Sequence, residues 1–162
     1  MLTTDEISLE THLSWWDKAM EDLSYRMFIV EREGVPISVT YYMGVARGDA
    51  AWWGFYLTDQ GLETQADLLD VWAHVETAGI IYPFKYMNVK SIFCEVRTEN
   101  TSVLSWHKRF GFEVLPQEVS ANTKNYDLVV KGLSRERYST LLQRGLYKRG
   151  AKVDFQCHPF DD

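Results

Sequence analysis

Cysteine is scarce in this chain: Cys94 and Cys157 are the only two in 162 residues. Two cysteines build no disulfide framework, and Cys94 stands in the apolar run Ser91-Ile92-Phe93-Cys94, where a thiol behaves as a small core hydrophobe. A reducing cytoplasm is the expected compartment. No apolar run approaches the roughly 20 residues that span a bilayer, and Met1-Leu2-Thr3-Thr4-Asp5-Glu6 has neither the basic flank nor the apolar stretch of a signal peptide. No membrane association or targeting is expected. Basic residues are also in deficit, with 17 Lys and Arg against 23 Asp and Glu and a formal charge of −6. No nucleic-acid partner is expected, because phosphate neutralisation needs a basic footprint. Low-complexity linkers and internal repeats are absent too.

What is present is aromatic, periodic and sufficient for one core. A chain of this length buries about 70% of its unfolded surface, so residues 1–162 read as a single domain. Ser8 precedes Leu9, Leu13, Trp16 and Met20, an apolar spacing of three and four that predicts a capped helix ending near Glu21-Asp22. Tyr25 to Glu31 and Ile37 to Val45 read as strands around Glu33-Gly34-Val35-Pro36, a hairpin signal. Ala51 to Leu57 predicts a third strand, and Leu62 to Ala78 a helix that Gly79 weakens or ends. Further on come a strand over Val89 to Val96, a helix over Thr101 to Phe110, strands over Phe112 to Leu115 and Tyr126 to Val130, and a Ser134-capped helix to Tyr147. Residues 133–162 form a C-terminal helix and tail. The alternation predicts an α+β fold, a mixed sheet with helices on its faces.

The most specific stretch runs from Glu95 to Val114. Asn100 lies eleven residues before Gly111, and between them the chain reads Asn100, two spacers, Val103, three spacers, His107, two more residues, then Phe110-Gly111-Phe112. This resembles the second half of the acyl-coenzyme-A-binding core of the GNAT N-acetyltransferases, in which a Tyr holds the place of His107. Residues 7–15, 25–30, 34–39 and 53–57 add a narrower resemblance, to the amino-sugar N-acetyltransferases of pseudaminic-acid and flagellin-glycosylation pathways. The resemblance implies a GNAT-like twisted mixed sheet that lacks the family's first strand and helix ahead of Ser8. It also implies acetyl transfer from acetyl-CoA to a small primary amine, with an amino-sugar nucleotide as leading acceptor and no metal. The sheet edge at the Tyr25 strand would then be covered by a second copy of the chain, as a homodimer.

Site residues follow from the same resemblance, each beside a plainer reading. Backbone groups of Phe55, Tyr56 and Leu57 would pair with the pantetheine arm as an added strand. Gln60 and Gly61 would meet the pyrophosphate at a helix N-terminus, although Glu63 and Gln65 replace the family's later glycines and put a carboxylate where an anion should bind. Asn100 either contacts the arm or only caps its helix. His107 either protonates the departing thiolate or is a core histidine. Glu95 is the nearest carboxylate for the amine proton, the alternatives being a water chain or a solvent-facing glutamate. Tyr42 and Trp53 either present flat surfaces to the acceptor or lie in the core. These departures leave two function classes open: an acetyltransferase, or a degenerate non-catalytic GNAT-like binding or assembly protein.

Overall fold

The computed structural model describes residues 7–45, 49–58, 63–116 and 127–156. Helix α1 covers Leu9–Glu21, and the Ser8 hydroxyl accepts the Thr11 N–H at 3.2 Å as its cap. Strands β1 (Arg26–Arg32) and β2 (Val35–Met43) form a hairpin with Arg32 paired to Val35. The turn is therefore only Glu33-Gly34, with φ of 55° and 79°. Two left-handed residues match the twist of the flanking strands, which is why the turn closes there and β2 begins two residues before the expected Ile37.

Strand β3 spans Ala50–Leu57, helix α2 Gln65–Lys85, strand β4 Ser91–Arg97 and helix α3 Thr101–Arg109. After the two-residue strand β5 (Glu113–Val114) come β6 (Leu128–Ser134) and helix α4 (Arg135–Gln143). The six strands are ordered β1-β2-β3-β4-β6-β5, and the β3–β4 pair alone is parallel. Among the described residues no strand precedes β1, so it is an edge.

Three further elements depart from the sequence expectation. Helix α2 does not stop at Gly79 but runs through it, and through Pro83, to Lys85. From Val75 to Phe84 every residue is buried, so packing on all sides outweighs a glycine penalty of about 1 kcal/mol. Strand β6 lies later than expected and pairs with β4 over its whole length, Ser91 with Ser134 through Arg97 with Leu128. Helix α4 ends before Tyr147 because Gly145 takes φ of 76°, a left-handed stop. A short 3-10 turn at Gly150–Lys152 then lies against α2, where Gly150 meets the backbone of Thr77 and Ala78.

The core fills the face of the sheet that α2, α3 and α4 cover, with Tyr42, Trp53, Ile92, Cys94, Phe112 and Leu133 pointing into it. The opposite face carries Tyr41, Trp52, Tyr56 and Phe93, which alternate with those inward residues. Helix α1 reaches that open face through Trp15, edge-on to Tyr25 at 6.0 Å, and Tyr25 in turn stacks on Tyr41. Much of α1's apolar surface, including Leu9 and Leu13, stays exposed. No described helix is long and apolar enough to cross a membrane.

Candidate active site

Strands β3 and β4 are hydrogen-bonded partners at only three positions, Ala50 with Ser91, Ala51 with Ile92 and Trp52 with Phe93. Beyond Trp52 they part, although both strands continue. The split opens a cleft of about 510 Å³. Trp53, Phe55, Tyr56 and Leu57 line it from β3, Glu95 from β4, Asn100 at the start of α3, and Val103 and His107 within α3. Seven of the sequence-derived candidates therefore share one cavity.

Each is held there by a local cause. Asn100 caps α3, its Oδ1 accepting the Val103 N–H at 3.2 Å, so the plain capping reading is satisfied. Trp53 is buried, donates its Nε1–H to Thr40 Oγ1 at 3.0 Å and stacks on Phe112 with ring centroids 5.6 Å apart. His107 is only 4% exposed and stands edge-on to both Trp53 and Phe112. Its Nδ1 lies 3.0 Å from Oε1 of Glu76 on α2, a carboxylate with no exposure at all. Lys131 of β6, also buried, donates to the Leu104 carbonyl at 2.6 Å, and burial pulls its ammonium below the usual lysine range.

Glu95 is exposed between the buried Cys94 and Val96, so strand alternation places it on the open face while His107 belongs to the helical face. The split thus connects a proton donor or acceptor on each side of the sheet. Gly54 keeps the open-face entrance narrow: a Cβ there would stand 2.5 Å from the Tyr41 hydroxyl. Only glycine lets the Tyr41 ring lie across β3, and burial holds that phenol above its ordinary value.

Two expectations fall elsewhere. Tyr42 is fully buried on the helical face, its hydroxyl donating to the Gly79 carbonyl at 2.8 Å. It borders a second groove of about 580 Å³ between β1, β2 and α2, and of the Tyr41–Tyr42 pair it is Tyr41 that lines the cleft. Gln60 and Gly61 lie outside the described residues. The described start of α2 is self-capped, Thr64 Oγ1 accepting the Asp67 N–H at 3.1 Å, with Asp67 in an ion pair to Arg32 at 3.6 Å. Sequence reasoning missed Tyr41 and Glu76. Alternation admitted Tyr41 as the other member of its pair, whereas nothing in the local pattern marked Glu76.

No family model matches the chain, and no curated protein does. Solved structures do. The fold is that of the GNAT acetyltransferases. The chain is similar to the Campylobacter jejuni N-acetyltransferase PseH in complex with acetyl coenzyme A, at 20% identity and a TM-score of 0.64, over 82% of this chain and 83% of that one. Mycobacterium smegmatis RimJ in complex with CoA-disulfide gives a TM-score of 0.66 at 14% identity, over 88% and 75% of the two chains. The dodecameric spermidine N-acetyltransferase of Vibrio cholerae gives 0.59 at 19%, over 85% and 78%. Among the described residues, no group of His, Cys, Asp and Glu is arranged to hold a metal ion.

Proposed function

We propose that residues 1–162 act as one acetyl-CoA-dependent N-acetyltransferase domain whose acceptor is a small primary amine. The observation that carries this reading is the β3–β4 split, with pairing that ends at Trp52 and Phe93 and His107 at its floor. Beyond Trp52, the backbone of Phe55 and Leu57 turns toward β4 and is available to the amides of a pantetheine arm, whereas Tyr56, whose carbonyl accepts from the Ser38 hydroxyl at 2.9 Å, turns its backbone to β2. Asn100 would sit beside the arm, Gln60 and Gly61 beside the pyrophosphate. With the thioester in the split, His107 faces the sulfur and Glu95 the amine. Holding the two reactants at contact distance supplies much of the rate.

An amino sugar carried on a nucleotide is the acceptor we favour, because Tyr41, Trp52 and Tyr56 offer flat surfaces on the open face where Glu95 stands. The chain would work in the cytoplasm as a homodimer. A non-catalytic binding or assembly role draws support from one specific observation, the self-capped and acidic first turn of α2, where an anion would have to approach.

Thermal unfolding with and without acetyl-CoA, followed by thiol release with a panel of amines, decides between these readings. Acetyl-CoA at 100 times its dissociation constant should stabilise the protein by about 2.7 kcal/mol, and at least one amine should release thiol. Stabilisation without turnover on any amine favours the binding role. No stabilisation removes the coenzyme from the proposal altogether.

A further inference from the structure

Glu76 is the least expected residue in the molecule: a carboxylate with no solvent exposure, inside the most deeply buried stretch of α2. Neither of its oxygens, nor His107 Nδ1, has a hydrogen-bond partner elsewhere among the described residues. The two side chains meet at 3.0 Å. A buried carboxylate is costly unless it is paired or neutralised, so a purely structural core would replace it with an apolar side chain. The other titratable groups around the pair are Cys94 from β4, whose thiol burial pushes far up, Lys131 from β6, and Tyr147 beyond α4, whose phenol burial also raises. The β3 and α3–β5 sides contribute only Trp53 and Phe112.

We propose that Glu76 is a positioning residue that keeps a transferable proton on His107 Nε2, the ring nitrogen on the side away from Glu76. The proposal rests on the acetyltransferase reading above and deepens it. The pair shares one ionisable proton beyond the Nε2–H, written either as a carboxylic acid against neutral imidazole or as a carboxylate against imidazolium. Nε2 bears hydrogen in both forms. Without the carboxyl group nothing holds that second proton on the pair, whereas a pair that has given it up leaves the carboxylate accepting Nδ1–H and Nε2 as a bare acceptor.

In the reaction the amine nitrogen bonds to the acetyl carbon, the carbon–sulfur bond breaks, and its electron pair leaves with sulfur. Sulfur takes the Nε2 proton while the amine sheds its surplus proton to Glu95 or water. What remains is a carboxylate accepting Nδ1–H from a neutral ring, a hydrogen-bonded resting place for the spent donor. One proton from solvent restores it.

The test is the pH profile of kcat and the KM for acetyl-CoA in the wild type, Glu76→Gln and Glu76→Asp. The glutamine variant should lose about ten- to a hundred-fold in kcat and keep its KM. Its high-pH limb should move to lower pH, because an amide does not stabilise imidazolium, and aspartate should recover part of the loss. A glutamine variant that is less stable but keeps the wild-type kcat and limb overturns the inference while leaving the acetyltransferase reading intact. Imidazole nitrogen NMR of the wild type at neutral pH reads the pairing without any substrate. A protonated Nε2 with a hydrogen-bonded Nδ1 supports the inference; a bare Nε2 overturns it even where the glutamine variant fails to fold. Wild-type protein that transfers acetyl to no amine overturns the parent reading and the catalytic role together, with the spectra still reporting whether the pair exists.

Discussion

Pro83 removes a donor from the middle of α2's last turns. It has no N–H, so the Gly79 carbonyl four residues earlier loses the partner a regular helix would give it. The Tyr42 hydroxyl fills that vacancy at 2.8 Å. This is why Tyr42 points into the core and its neighbour Tyr41 toward the cleft. Tyr42→Phe should cost about 1–3 kcal/mol in denaturant unfolding, the penalty of an unsatisfied buried carbonyl. In a Pro83→Ala background the alanine N–H can serve the same oxygen, and the cost of losing the hydroxyl should fall by about 1 kcal/mol in a double-mutant cycle. Equal costs in both backgrounds would show that the carbonyl is served some other way. The residue scale is also where the sequence was least legible. Alternation divided Tyr41 from Tyr42 and Trp52 from Trp53, but which member faced inward depended on distant partners, the Gly79 carbonyl for Tyr42 and the Thr40 hydroxyl for Trp53. Glu76 gave no local signal, since a glutamate in a helix usually marks the solvent side and only the packing of α3 on α2 reverses that. His107 and Asn100 were legible because the stretch from Asn100 to Phe112 resembles the GNAT coenzyme-binding core.

Among the elements, β1 and α1 leave apolar side chains exposed. One side of β1 has no strand beside it among the described residues, Ile29 on that strand is 61% exposed, and Leu9, Leu13 and Trp16 of α1 face outward. Unpaired strand edges template pairing unless they are blocked. Light scattering should therefore report twice the chain mass of 18.9 kDa, and Ile29→Lys, which puts a charge on the edge, should shift it toward the single mass. A wild-type monomer at high concentration would remove the homodimer. Order and type of the elements were readable throughout, because hydrophobic period separates strands from helices. Boundaries failed where tertiary contacts overrode local signals, as when burial carried α2 past Gly79 and full pairing with β4 set the span of β6.

For the whole molecule, burial of tyrosine sets an alkaline limit. Tyr25 is pushed up to about 12, chiefly by burial, and Tyr41, Tyr138 and Tyr147 are raised by the same cause. Because these folded-state values lie above the ordinary value near 10, the unfolded chain releases its phenolic protons first. Stability from these groups is therefore fully present below about pH 10 and is lost as pH rises through the folded values. Unfolding free energy should be nearly level from about pH 7 to 9 with respect to these residues, then fall steeply above about pH 10 as tyrosinate absorbance appears together with unfolding. Tyrosinate that appears near pH 10 in a still-folded protein would show that the rings are better solvated than their packing implies.

Cys94 lies on the core face of β4, one residue beyond the last position at which β4 still pairs with β3. Burial raises its thiol so far that almost none is ionised at neutral pH, and electrophiles react with the thiolate. Alkylation of this sulfur must therefore wait for moments when the strands, or the helix above them, move apart and admit water. The rate of that reaction is a clock for the breathing of the split, and anything that fills the split slows the clock, so the protein contains its own chemical probe of occupancy at the place where occupancy matters.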